Sequence, residues 1–235
     1  MSSDTPQFHL NTYFRSSCSA RLRIALNLKS LSYSCSYTNL LKDEQTSASH
    51  LSLNPSGTVP VLTPLNTDNA WPITQSVAGL EYLEEAFPDR RPLLPPGDKA
   101  VARAQVRTLV DIIACDTQPV TNRHIMLAVG KLGKNGPEWS REYMTRGLKA
   151  YEETAKKTAG EFSVGDEITM ADVVLVPAVW GAERFGVDLE KLPTVKRIYE
   201  TMSREEAVVK AHWRRQEDTP EEFRESLDGH VTGDP

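Results

Sequence analysis

Phe8, Leu10 and Thr12 alternate with His9 and Asn11 on the way to Phe14, and Tyr33, Cys35 and Tyr37 alternate with serines. A period of two puts alternate side chains on one face of a pleated ribbon, so both stretches predict strands. Between them Ala20, Leu22, Ile24, Ala25, Leu26 and Leu28 predict a helix entered through Ser16 and Ser17, both of them residue types that cap helix starts. Residues 59–63 predict a third strand, the turn formers of 64–69 a hairpin loop, and residues 70–74 a fourth strand. A second helix opens at Ser76 and carries Val77, Leu80, Leu83 and Phe87. Strands and helices mixed in this order predict an α/β domain over residues 1–88.

Four prolines and a glycine between residues 88 and 98 continue neither helix nor strand, and they predict a linker at 89–98. The following patterns are helical and predict an all-α domain over 99–216. Val101, Ala104, Val106, Leu109, Ile112 and Ile113 mark one helix; Tyr143, Leu148, Tyr151 and Ala155 mark another, with 130–137 as the break. Thr169 to Asp172 resembles a capping box with Asp in the Glu position, launching an apolar run over 173–180 in which Pro177 is a potential kink. Shorter helices are expected around 194–202 and 205–213. The tail, 217–235, is expected to be loosely held.

Charge sharpens this division. The formal net charge is −5, and residues 217–235 carry seven acids against Arg224, so the remainder of the chain is close to neutral. A near-neutral body without a Lys/Arg run lacks the electrostatic footprint of a nucleic-acid binder. No run of 18 apolar residues predicts a membrane span, and MSSDTPQ has neither the basic region nor the apolar core of a secretory signal. Cys18, Cys35 and Cys115 are odd in number and form no CxxC pair, which argues against a disulfide framework and fits a reducing, cytoplasmic setting. The five histidines show no metal-ligand spacing, so no metal is assigned.

Four features could carry chemistry, each with a plainer reading. Ser16, Ser17 and Cys18 stand where a helix N-terminus offers unpaired N–H groups and partial positive charge, suited to a thiolate; ordinary N-capping beside a packed cysteine is the alternative. Val59-Pro60 is either an edge proline or a clamp exposing the Val59 backbone to a ligand. Gln75 and Ser76 either cap the second helix or receive a carboxylate at its start. Arg184 is either solvated or a partner for an anion.

Taken in order, SSCSARLRIAL, NPSGTVPVL, QSVAGLEYLEE, the proline-rich linker and TMADVVLVP resemble the cytosolic glutathione transferases, specifically the zeta class, whose enzymes include maleylacetoacetate isomerases. The resemblance runs from about residue 8 to 224 and includes DTQPVTN, VGDEITMAD, AERFGVDL and QEDTPEEF. It implies an N-terminal thioredoxin-like domain followed by a C-terminal helical bundle domain, in a homodimer that uses glutathione as cofactor. It implies catalytic roles for Ser16, Ser17 and Cys18, with Ser16 as main donor to the thiolate. Glutathione would be held by Gln45, Val59, cis Pro60, Gln75, Ser76, Gln118 and Asn122, and the carboxylate of a dicarboxylic diketo acid by Arg184.

The implied reaction is isomerisation of maleylacetoacetate to fumarylacetoacetate in tyrosine and phenylalanine catabolism, with conjugation of α-haloacids compatible with the same thiolate. Two rivals remain at this point: a monothiol, glutathione-dependent oxidoreductase using Cys18, for which Arg21 occupies the place of a resolving cysteine, and a non-catalytic binding module. The chain departs from the zeta pattern at Ala20, where a bulky aromatic or histidine is usual. It departs again between Gln45 and Asn54, a segment about two residues shorter than is common.

Overall fold

The computed structural model describes residues 5–65, 67 and 70–224. In chain order its principal elements are β1 (Phe8–Thr12), α1 (Ser17–Leu28), β2 (Tyr33–Tyr37), α2 (Ala48–Leu53), β3 (Val61–Pro64), α3 (Ser76–Ala86), α4 (Ala100–Asp111), α5 (Arg123–Lys131), α6 (Gly136–Ala155), α7 (Met170–Arg184), α8 (Pro193–Met202) and α9 (Glu206–Ala211). They fall into two units, one running up to Arg91 and resuming at Glu206, the other Pro92–Glu205.

The first unit is α/β. Its sheet has the order β2-β1-β3, with β1 parallel to β2 and antiparallel to β3; Leu10 faces Cys35 on one side and Leu62 on the other. Parallel neighbours need a crossover, and α1 supplies it. Phe8, Leu10, Leu22, Ile24, Leu26, Leu62, Leu80 and Leu83 are buried and make the core. α1 packs against both α3 and α9. Gly79 permits the approach of α3, because a Cβ there would come 2.8 Å from Leu22 Cδ2.

The fourth strand expected at 70–74 is a single bridge instead. Ile73 and Leu62 exchange N–H···O bonds of 2.8 and 2.9 Å, and the pairing goes no further. Pro72 beside Ile73 has no N–H to extend a ladder. The expected hairpin loop lies partly outside the described residues.

The second unit is helical: α4 packs on α7, α5 on α6, and α8 on both α6 and α7. Residues Met170 to Pro177 of α7 are all buried, so this helix is surrounded rather than amphipathic, and it continues through Pro177. The expected break at 130–137 is shorter than its composition implied. α5 runs through Gly130 to Lys131, and α6 already starts at Gly136, where the Asn135 side chain accepts the Glu138 N–H at 3.1 Å and Pro137 sits in the first turn. Proline is tolerated there because first-turn N–H groups have no intrahelical partner. α4 passes into a π-helical stretch, Ile112–Thr117, whose Thr117 side chain occupies the space a Cβ at Gly147 of α6 would need.

The end of the chain differs from expectation. α9 stops at Ala211, is followed by a short turn at Trp213–Arg215, and belongs with the α/β unit. Nor are residues 217–224 loosely held: Tyr37 donates to Glu217 Oε2 at 2.8 Å, Phe14 N–H to Asp218 Oδ2 at 2.8 Å, and Thr219 Oγ1 to the Trp213 carbonyl at 2.6 Å. Acidic composition signals solvation only when the acids lack partners in the fold. The rest of the tail, 225–235, lies outside the described residues. No described helix is long and apolar enough to cross a membrane.

Candidate functional site

Ser16 is the N-cap of α1. Its backbone is extended, and its Oγ accepts the Ser19 N–H at 3.1 Å while its carbonyl accepts the Ala20 N–H at 2.9 Å. An oxygen that accepts keeps its own proton to donate, so the Ser16 hydroxyl remains a donor at the helix start. Ser17 and Cys18 occupy the first turn, half-buried, and their N–H groups belong to the open set at the positive end of the helix. The capping and anion-binding readings of Ser16 are therefore compatible: the oxygen accepts from the helix, and the proton is left to donate.

Val59-Pro60 is a cis peptide bond. Val59 stands just before β3, which begins at Val61, so its N–H and C=O lie outside the sheet's ladder. The residue before it is fixed firmly. The Thr58 carbonyl accepts from His50 Nε2 at 2.9 Å and from Asn54 Nδ2 at 2.7 Å, and His50 is itself buried. Val59 also packs with Tyr13 and Phe14 in a buried cluster against which Leu40, Trp213 and Phe223 lie.

Gln75 caps α3 by backbone alone; its side chain makes no capping bond and is exposed. Ser76 is the first residue of α3, and its Oγ accepts from Arg21 Nη1 at 3.0 Å. That bond joins α1 to the head of α3, two of the expected regions. Gln45 is half-buried; its Nε2 donates to Asp43 Oδ1 at 3.3 Å, and its Oε1 is buried without a partner.

Three expected residues belong to the helical unit. Gln118 follows the π-helical stretch and is half-buried, and Asn122 is the N-cap residue of α5 with its side chain not used for capping. Arg184 ends α7, exposed, with its guanidinium carbon 4.6 Å from the centroid of the Phe185 ring.

Several residues that hold the first unit's site have no signal in the local sequence. Arg23 is fully buried and donates to Thr12 Oγ1 and to the carbonyls of Tyr13, Phe14 and Ala211, tying down the loop that leads into Ser16. Burial lowers its value to about 10, while nearby Tyr33 and Asp218 favour its charge. Burial also pushes the Tyr33 hydroxyl up to about 12 and the Cys35 thiol upward, so Cys35 is held as a neutral thiol. Charged residues on an apolar helix read as exposed until the tertiary partners are known.

The α/β unit thus offers backbone groups outside the sheet's ladder at Val59, a hydroxyl donor with open N–H groups at the head of α1, and a second helix start at Ser76. Such a set suits an extended peptide that carries a carboxylate and a nucleophilic anion.

Comparison with known proteins agrees. The family model for "Glutathione S-transferase, N-terminal domain" matches residues 15–86, and that for "Glutathione S-transferase, C-terminal domain" matches 128–206. Maleylacetoacetate isomerase maiA of Aspergillus fumigatus is 57% identical over 227 residues, covering 95% of this chain and 98% of the relative. The mouse maleylacetoacetate isomerase is 43% identical over 217 residues, covering 92% and 96%. A crystal structure of the maleylacetoacetate isomerase of Anaeromyxobacter dehalogenans, with glutathione bound in its active site, superposes with a TM-score of 0.83 at 39% identity, covering 91% of this chain and 98% of that one.

Proposed function

This chain belongs to the glutathione S-transferase family, and we propose that it is a glutathione-dependent cis-trans isomerase that converts maleylacetoacetate to fumarylacetoacetate. The carrying observation is the head of α1, where Ser16 caps the helix with its oxygen and keeps its proton to donate beside the open N–H groups of Ser17 and Cys18. Relatives bearing that name over nearly the whole chain support the same reading.

When bound, glutathione supplies the thiol whose reversible addition makes the substrate's double bond free to rotate. An ordinary thiol near 8.5 is only a few per cent ionised at pH 7, so an environment that stabilises the anion makes much more of it reactive. Ser16 would donate to that anion, with Ser17 and the helix dipole assisting and Cys18 as a neighbour.

Other side chains of this protein would hold and orient. Val59 would offer its N–H and C=O, which lie outside the sheet's ladder, to the bound peptide, with cis Pro60 turning the chain there. Gln75, Ser76 and the open N–H groups of α3 would take the γ-glutamyl carboxylate. The buried, unpartnered Oε1 of Gln45 fits a donor from the bound peptide. Gln118 and Asn122 are further glutathione-binding candidates, and Arg184 would grip a substrate carboxylate with two parallel bonds. The family resemblance also supports a homodimer and a cytoplasmic setting.

The test is a pair of assays on the purified protein, maleylacetoacetate with and without glutathione, and an α-haloacid alongside. Isomerisation is expected to require glutathione without consuming it. Normal glutathione binding with no stimulated isomerisation overturns the proposal.

A further inference from the structure

Three buried cations lie along α1 or at its end, and they are not treated alike. Arg23 donates to four oxygens. Lys29 pairs with Glu84 at 2.8 Å and donates to the carbonyls of Phe87, Arg90 and Arg91. Arg21, 2% exposed, has one partner: its Nη1 donates to Ser76 Oγ at 3.0 Å, while Nε and Nη2 are buried without any. Among the described residues no carboxylate pairs with it. Its two unmet donors are therefore buried in the fold without an acceptor.

The head of α3 has the same deficit. Gln75 gives no side-chain cap, and the first turn of this 11-residue helix carries no acid. Its leading N–H groups therefore have neither a capping side chain nor a first-turn carboxylate to meet them. The Arg21–Ser76 bond joins the two deficits. Since arginine only donates, Ser76 Oγ accepts, and the Ser76 proton is directed away from Arg21.

We propose that Arg21 is a positioning residue for the carboxylate that binds at the start of α3. It fixes Ser76 as a donor and places a full positive charge behind the helix terminus, and the ligand's carboxylate is its counter-anion. The proposal rests on the reading that glutathione is the ligand, which makes that carboxylate the one on the α-carbon of the γ-glutamyl group. Arg21 acts through Ser76, so its removal weakens recognition of this one group rather than of the whole peptide.

The test compares dissociation constants, by calorimetry, for glutathione and for γ-aminobutyryl-cysteinyl-glycine, which lacks only that carboxylate. The ratio of the two measures discrimination. We expect Arg21→Met to lower the ratio about tenfold, mainly by weakening glutathione, and Arg21→Lys to restore most of it. Ser76→Ala is expected to lower the ratio as well, and adding Arg21→Met to it to cause little further change. Should Arg21→Met fail to fold, Arg21→Gln, which keeps a donor and loses the charge, is expected to lower the ratio beyond Arg21→Lys. Equal weakening of both ligands, or an unchanged ratio in folded variants, overturns the role of Arg21. If the wild type binds neither ligand, the functional reading fails and takes this proposal with it; if it binds both and only the variants disappoint, the functional reading stands.

Discussion

The backbone N–H of Phe14 donates to Oδ2 of Asp218 at 2.8 Å, across 204 positions of sequence. Phe14 lies two residues before the cap of α1, and its carbonyl is held at 3.0 Å by Arg23 Nη2. The end of the chain is thereby part of the support beneath Ser16. Trp213 and Phe223 add to it by packing on the cluster of Tyr13, Phe14 and Val59.

Replacing Asp218 by Ala leaves the Phe14 N–H without its acceptor. We expect a loss of about 1–3 kcal/mol in urea denaturation, together with slower isomerisation at saturating glutathione. Asp218→Asn keeps an acceptor oxygen and is expected to retain most of both. An Ala variant as active as the wild type would show that the loop holds itself.

Asp218 also carries a pH signature. Burial holds its carboxyl above the ordinary range, opposed by the Phe14 N–H and by Arg23. A raised value means that the folded chain keeps a proton already lost by the unfolded one. The stability from this group is therefore complete below the ordinary carboxylate value and is lost as pH rises through the raised folded value. Relative to Asp218→Asn, which cannot titrate, the wild type is expected to lose stability across that window. Denaturation midpoints of both proteins between about pH 3 and 7 give the sign.

The capping role of Ser16 and the chemical role proposed for it can be separated by substitution. Ser16→Ala is expected to reduce isomerisation by about a hundredfold and stability by about 1 kcal/mol. Glycine is a tolerated cap, so Ser16→Gly should recover most of the stability and none of the activity. Cys18→Ala is expected to stay within a few-fold of wild type in steady-state assays. Activity that depended on Cys18 and survived loss of Ser16 would instead favour the oxidoreductase mechanism.

Arg184 is exposed at the end of α7, with its guanidinium against the Phe185 ring. Arg184→Ala is expected to raise KM for the diketo acid by about tenfold or more with glutathione affinity unchanged. Arg184→Lys should recover part of the loss, because an ammonium lacks the planar fork. Steady-state kinetics in each substrate separately test both.

Asp172 anchors the start of α7 with three bonds: the N–H and hydroxyl of Thr169 at 2.8 and 3.0 Å, and the Ser163 N–H at 2.8 Å. All of these groups are buried. Asp172→Ala is expected to destabilise the protein by about 2–4 kcal/mol, and Asp172→Asn, which keeps one acceptor oxygen, by less. Urea midpoints decide it.

Neighbouring residues alone carried a good deal of this. The period-two run from Phe8 and the cap at Ser16 specified β1, α1 and their junction, because strand pleat and helix capping depend on residues within a few positions. Thr169 and Asp172 announced α7 for the same reason. Arg21, Arg23 and Lys29 are different: in sequence they are three ordinary charges on a helix, and only folding reveals one guanidinium satisfied by carbonyls, one ammonium beside Glu84, and one guanidinium left with Ser76. The strand expected at 70–74 became one bridge because pairing depends on what lies opposite. The acidic residues after Gln216 looked solvated until the fold brought Asp218 to Phe14 and Glu217 to Tyr37. Local geometry is set by short-range sterics and capping, so the chain alone determined where helices begin and which residues stand at their heads. Burial and hydrogen-bond partners are set by segments far apart in sequence, so only the tertiary structure decided which of those heads has its charge met from within the protein.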